Sequence, residues 1–258
     1  MDIGTGIRKM SRILYKYLDI KGGKAMLGNK TLQYTNATQL NDPFDCHPGL
    51  LDYSNIPETY SPEKKQWYLG KLHNDAMNQR NRAWLCSLSK RNDSILMWAH
   101  YCQNHSGICI GLNMEEMRKH PIRGNISLCP CEIEVQYVDI LKNENKKPYL
   151  EYLLGIKAKE WEYEQEVRLV IDNPSWCYAV RPPRKTNSDG PIDPKIVRFY
   201  NKLTPECFES IYFGIKTDEN DVNEISEIVR KFNSNIKLYQ MKVDENALLL
   251  KAEEITDK

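Results

Sequence analysis

Apolar residues in this chain come in strand-length runs, and those runs do not alternate with helices. Ile13–Leu18 (ILYKYL), Thr31–Thr35 (TLQYT), Ala83–Ser89 (AWLCSLS), Ile108–Leu112 (ICIGL), Ile133–Val138, Glu164–Ile171 (EQEVRLVI), Ile211–Gly214, Ile236–Val243 and Ala247–Lys251 read as strands. They do so by two-residue alternation or by short continuous apolarity. Helical spacing marks Ser61–Arg82, Ile95–Cys102, Pro148–Trp161 and Asp218–Phe232, with Ser61-Pro62-Glu63 and Asn92-Asp93-Ser94 as start signals. Within the first of these, Trp67, Leu69, Leu72 and Met77 are the expected core residues, and Ile20–Gly28 reads as a short helix or a turn-rich link. The expectation is one α+β domain over residues 1–258, a twisted mixed sheet flanked by helices. No GxGxxG or P-loop argues for a doubly wound nucleotide fold. Residues 175–200, with Pro182-Pro183 and Ser188-Asp189-Gly190-Pro191, are expected to form an irregular flap or insertion.

Charge narrows the partner classes. Lys and Arg number 36 against 35 Asp and Glu, so there is no global electrostatic case for nucleic acid or an acidic membrane. The opening residues, MDIGTGIRKMSRILYKYL, break their apolar stretch with charges and resemble neither a signal peptide nor a membrane span. A soluble, cytoplasmic protein is expected. Cys46, Cys86, Cys102, Cys109, Cys177 and Cys207 are scattered, several within apolar runs, and read as small buried hydrophobes. Only Cys129-Pro130-Cys131 is close-spaced, and no second Cys/His pair follows at zinc-ribbon spacing, so no metal is expected.

The segment Glu164–Ile171 stands out. Alternation turns Val167, Leu169 and Ile171 to one face, and Glu164, Glu166, Arg168 and Val170 to the other. Two carboxylates and a guanidinium on one row of a core strand are costly unless paired or used. The bland alternative is an exposed edge strand with a surface Glu166–Arg168 pair. In Ala83–Ser89, Trp84, Cys86 and Leu88 share one face and Leu85, Ser87 and Ser89 the other, so the two serines form a row of hydrogen-bonding groups. Met97, Trp98 and Tyr101 form an aromatic-rich helical stripe, flanked by His100 and His105, which read as structural histidines. Asn41-Asp42-Pro43-Phe44-Asp45 is a tight turn whose polar groups hold a strand end or touch a ribose. Tyr15 and Tyr17 share a face of the first strand, with Lys16 between them.

Taken in order, LYKY, LQYTNATQLNDPFD, WLCSLS, LMWAHYCQNHSGICIGL, KAKEWEYEQEVRLV and IYFG resemble a widespread bacterial and phage family known only as a domain of unknown function, often met near defence genes. The resemblance runs from Ile13 to about Lys251. The family's layout is in turn similar to that of ADP-ribosyltransferases, which carry a His or Arg on the first strand, a Tyr or Ser-x-Ser on a middle strand and a Glu on a later one. Lys16 or Tyr17 stands here at the first position, a departure from His or Arg; Ser87 and Ser89 match the second; Glu166, or Glu164, matches the third. The resemblance implies NAD as substrate, Glu166 and Glu164 as catalytic carboxylates, and Lys16, Tyr17, Asn41, Ser87, Ser89, Tyr101 and Arg168 around the nucleotide. It also implies a protein or nucleic acid as acceptor, and a defence effector or toxin as the biological setting.

Two other readings stay open at this stage. Asp42 or Asp45 with Glu166-Val167-Arg168 loosely matches a metal-dependent nuclease pattern, with Arg where a Lys would serve better. A sensor or binding module without catalysis would need no such chemistry.

Overall fold

The computed structural model describes residues 13–51, 56–120, 130–140, 150–172 and 198–256. In chain order the elements are β1 (Ile13–Leu18), α1 (Ile20–Asn29), β2 (Thr31–Asn36), α2 (Pro62–Arg82), β3 (Ala83–Ser89), α3 (Ile95–Tyr101), β4 (Ile108–Asn113), α4 (Met114–Lys119), β5 (Cys131–Glu134), β6 (Gln136–Val138), α5 (Leu150–Gly155), β7 (Ile156–Ala158), β8 (Glu166–Asp172), β9 (Arg198–Lys202), β10 (Phe208–Phe213), α6 (Glu219–Arg230), β11 (Lys237–Val243) and β12 (Leu250–Glu254). Among the described residues, ten strands form one open mixed sheet, and β6 pairs with β7 separately. The expected α+β class with helices flanking a mixed sheet holds.

The sheet forks at β3. One arm runs β12-β11-β10-β4-β1-β3, and from β3 the sheet continues both to β2-β9 and to β8-β5. The parallel pair β10–β11 encloses α6; its other ladders are antiparallel. One edge of β3 is fully taken by β8, from Ala83↔Asp172 to Ser89↔Glu166. Its other edge is shared. β1 holds one end, at Tyr15↔Ser89, and β2 the other, at Thr35↔Leu85 and Asn36↔Trp84. Between them the Lys16 ammonium donates to the Ser87 carbonyl at 2.9 Å, supplying a partner where the ladder lapses.

Alternation decides the faces. Leu14, Leu32, Cys86, Leu88, Ile110, Val167, Leu169 and Ile211 point to one face and bury against Met26 and Leu27 of α1 and Ile225 and Val229 of α6. On the opposite face, Tyr17, Cys109 and Tyr212 pack with Met97, Trp98 and Cys102. Beside that cluster, Leu85 packs with Cys46, Leu153, Leu154 and Ile156. The candidate site lies on this second face. Cys46, Cys86, Cys102, Cys109 and Cys207 are buried as expected, and Cys131 is exposed; Cys129 and Cys177 lie outside the described residues.

Several expectations need correction. Trp67 (64 % exposed) and Leu69 are not core residues: α2 buries no side chain and touches the body through Ala76 and Met77 near its C-terminal end. The expected strand Ile133–Val138 is two strands with different partners, parted at Val135, whose N–H donates to the Glu166 carbonyl at 3.0 Å. The expected helix Pro148–Trp161 stops at Gly155, a residue with a high conformational cost in helices. The chain then extends through β7 and tightens into a 3-10 turn, Lys159–Glu164. Glu164 therefore ends a turn and does not open β8. The last strand begins three residues later than expected, and α4 and β9 were not foreseen. Arg198, Phe199 and Tyr200 belong to β9, and the rest of the expected flap, 175–197, lies outside the described residues.

Candidate functional site

Register brings the polar row together. Ser87 sits opposite Arg168 and Ser89 opposite Glu166, so the serine row and the charged row share one face. Neither is at an exposed edge: Glu166 is 4 % exposed and Arg168 1 %. The edge-strand alternative is thereby overturned, because β5 covers the far side of β8.

Burial at this level demands partners, and Arg168 has them. Its five N–H groups meet five oxygens. Nε donates to Glu166 Oε1 (2.9 Å), and Nη2 to Glu166 Oε2 (3.1 Å) and Asp45 Oδ2 (2.7 Å). Nη1 donates to Asp45 Oδ1 (2.8 Å) and the Leu154 carbonyl (2.8 Å). The bidentate Asp45 contact ties the 41–47 loop to β8. Lys157, delivered by β7, donates to Glu164 Oε2 and to Glu166 Oε2 (3.2 Å), and its ammonium lies 4.9 Å from the centre of the Trp161 ring. Three carboxylates (Asp45, Glu164, Glu166) face two cations (Lys157, Arg168), so the fully ionised cluster carries one net negative charge.

That excess charge falls unevenly on the two glutamates. Burial alone would raise the Glu166 carboxyl. Arg168 and Lys157 beside it, with hydrogen bonds from Arg168 and Ser87, outweigh burial and hold it down at about 2. Glu164 goes the other way. Burial raises it and Glu166 adds to the rise, while Lys157 and Tyr101 only partly oppose them. Lys157 would be lowered by burial, but the two glutamates keep it above its ordinary value and charged.

Glu164 is connected toward the surface through Tyr101. Its Oε1 accepts from the half-buried Tyr101 hydroxyl at 2.5 Å, and the side chain of exposed Asn41 lies beside Tyr101. Near Tyr101 stand Tyr163, whose hydroxyl is 2.8 Å from His100 Nδ1, and Trp161, 6.1 Å from Tyr163 between ring centres. Local structure explains the placement. Gln165 adopts a left-handed conformation (φ 44°) that swings Glu164 back over the face of β8. The Ser89 hydroxyl donates to the Glu164 carbonyl at 2.7 Å and pins that turn. Tyr137 accepts from the Glu166 N–H at 2.7 Å.

Among the expected site residues, Glu164, Glu166, Arg168, Ser87, Ser89, Tyr101 and Asn41 thus converge. Lys16 and Tyr17 do not join them: Lys16 fills the fork, and the Tyr17 hydroxyl donates to the Arg91 carbonyl (2.9 Å) with its ring edge-on to Trp98. Sequence reasoning missed Lys157 and Tyr137, and left Asp45 open as a turn residue, a group holding a strand end, a ribose contact or a nuclease aspartate; the structure has it holding β8 through Arg168. The one usable signal for Lys157 was the demand of two buried carboxylates for a second cation. Among the described residues, no group of three or more His, Cys, Asp and Glu side chains is arranged to hold a metal ion.

Residues 97–169 match the model of a protein family of unknown function, DUF2971. The matched segment begins in α3 and ends in β8, and so contains Tyr101, Lys157, Glu164, Glu166 and Arg168, while Asn41 and Asp45 lie outside it. The resemblance to a family of unknown function therefore stands, with the match covering less than a third of the chain and leaving Ser87 and Ser89 outside as well. No curated protein and no solved structure matches the chain. Among the described residues, no helix is long and apolar enough to cross a membrane.

Proposed function

We propose that the protein binds NAD and cleaves its nicotinamide–ribose bond, passing ADP-ribose to an acceptor, with Glu164 as the working carboxylate. One observation carries this reading. Two neighbouring glutamates share Lys157 yet are driven in opposite directions, and the raised one is the one that accepts from half-buried Tyr101. Carboxylates with environments that separate them in this way divide the labour of proton transfer and charge stabilisation.

In this reading Glu166 is a fixed anion, locked by Arg168, and its part is to hold Lys157 and through it Glu164. Glu164 accepts a hydrogen bond from a ribose hydroxyl and stabilises the positive charge that builds on the ribose as the C–N bond lengthens. That bond breaks with its electron pair going to the nicotinamide nitrogen. The acceptor's oxygen or nitrogen supplies the pair for the new bond and gives its proton to Glu164. Tyr101, Tyr163 and Trp161 offer faces on which a nicotinamide ring stacks. Of the acidic residues in the nuclease alternative, Asp45 and Glu166 are both committed to Arg168, and Asp42 is not.

Incubation with NAD, followed by chromatography for released nicotinamide, tests the proposal. The wild type should release nicotinamide above the spontaneous rate and Glu164→Gln should fall by at least about 100-fold, the usual scale for losing a general acid–base group. If wild-type protein, offered protein and nucleic-acid acceptors, neither binds nor consumes NAD, the proposal fails.

A further inference from the structure

We infer that the outward face of α2 is a docking surface for single-stranded nucleic acid, with Lys64 and Lys71 meeting phosphates and Trp67 stacking a base. The inference goes beyond the NAD reading and does not depend on it.

α2 runs for 21 residues from a Ser61 cap, with Pro62 in its first position, and buries none of its side chains. Helices in globular proteins are held mainly by packing one apolar stripe. Here Ala76 and Met77 supply that contact, and the opposite side has a pattern of its own. Lys64, Trp67, Lys71, Asp75, Asn78 and Arg82 follow one another at steps of three or four residues, so they share a face, and all six are exposed. Charge is concentrated on the same helix. Five lysines and arginines stand against Glu63 and Asp75, a net +3 in a chain whose total is +1, so the remainder of the molecule is net negative. A polyanion is drawn to α2 and not to the molecule as a whole.

Aromatic rings are set among these charges. The Lys71 ammonium lies 5.8 Å from the centre of the Trp67 ring, which is 64 % exposed. The Lys64 ammonium lies 3.9 Å from the centre of the Tyr60 ring, itself edge-on to Tyr68 at 5.7 Å. Each pair fixes a flat apolar face beside a positive charge. Gly70 adds a third observation. A Cβ there would meet nothing within 4 Å, so no packing inside the fold asks for a residue that weakens a helix interior. A bare stretch of helix beside Trp67 does leave room for a strand lying against it. Charge selects a polyanion, and the rings select among polyanions. A duplex keeps its base faces stacked, and an acidic peptide offers none. An anionic lipid surface calls for a broad apolar face, whereas this stripe holds one apolar residue. An unpaired strand uses both the lysines and the ring.

Fluorescence anisotropy tests the inference, with a labelled mixed-sequence single strand of about 20 nucleotides and an abasic strand of the same length. Thermal unfolding is measured alongside. Wild type should bind the mixed strand more tightly than the abasic one. Trp67→Ala should weaken the mixed strand about tenfold, the scale of one base–aromatic stack, and leave the abasic strand and the unfolding temperature unchanged. Trp67→Phe should restore binding. Lys64→Gln combined with Lys71→Gln should weaken both strands and flatten the dependence of log affinity on log salt by about 1.4, the share of two phosphate contacts on a single strand. A Trp67→Ala variant that binds both strands as wild type does overturns the inference, and so does an unchanged salt slope in the double variant. A wild type that binds no oligonucleotide, whether or not it binds phosphatidylserine vesicles, overturns it as well.

Discussion

Glu164 and Glu166 are two residues apart and share one lysine, yet their amide variants should move stability in opposite directions. A carboxyl held at about 2 against an ordinary 4.5 contributes about 3 kcal/mol at neutral pH, because the native state binds a proton more weakly than the unfolded chain. Glu166→Gln forfeits that and leaves Lys157 and Arg168 short of an anion, a loss of the same order as breaking a buried pair. For a domain of this size about 3 kcal/mol lowers the Tm by about 6–12 °C. The Glu164 carboxyl is raised, so the native state holds its proton more tightly, and keeping it ionised at neutral pH costs stability. Glu164→Gln removes the surplus negative charge and should unfold no earlier than wild type, with a gain of about 1 kcal/mol at most. Urea unfolding measured from pH 7 downward separates the two. The deficit of Glu166→Gln should persist down to about pH 4.5 and shrink as pH falls toward 2, where the wild-type carboxyl also gains its proton. The advantage of Glu164→Gln should fade as pH falls toward the unfolded value, because wild type then sheds the same charge. If both variants lose about 3 kcal/mol at pH 7, the division of roles between the two glutamates is wrong.

Tyr101→Phe removes a hydrogen bond that lowers the Glu164 carboxyl, so Glu164 should titrate at higher pH in the variant. Carboxyl-carbon NMR reads this directly, and a downward movement would contradict the geometry. Lys16→Met leaves the Ser87 carbonyl without its donor in the fork and should cost about 1–3 kcal/mol in urea unfolding, with NAD affinity unchanged. Lost NAD affinity at full stability would instead return Lys16 to the phosphate-binding role expected from its position on the first strand.

Two-residue alternation was enough to predict which side chains of β3 and β8 share a face, because period-2 geometry is local. It also put Glu164 with Glu166 and Arg168, and the structure reaches that neighbourhood by another route, a 3-10 turn and a left-handed Gln165. What alternation cannot carry is a partner from far along the chain. Asp45 and Arg168 are 123 residues apart, and nothing local in Asn41–Asp45 separates an anchor from an ordinary turn. Lys157 was hidden for a related reason. Read within a helix from Pro148 to Trp161 it is one charged residue on a solvated face, and only the stop at Gly155 turns it inward. Trp67 and Leu69 misled in the opposite sense. Helical spacing was right, but a helix of such polar composition has little apolar surface to bring to the body.

The fork at β3 also changes the topology of exposure. An unbranched open sheet ends in two free edges, whereas among the described residues this one ends in three, at β12, β9 and β5. Every free edge offers unpaired backbone groups to a strand from another molecule. Each of the three carries charge along it: Lys251, Glu253 and Glu254 on β12, Arg198 and Lys202 on β9, Glu132 and Glu134 on β5. Those side chains need no part in catalysis to matter, since charge along an open margin discourages a strand of another molecule from adding to it.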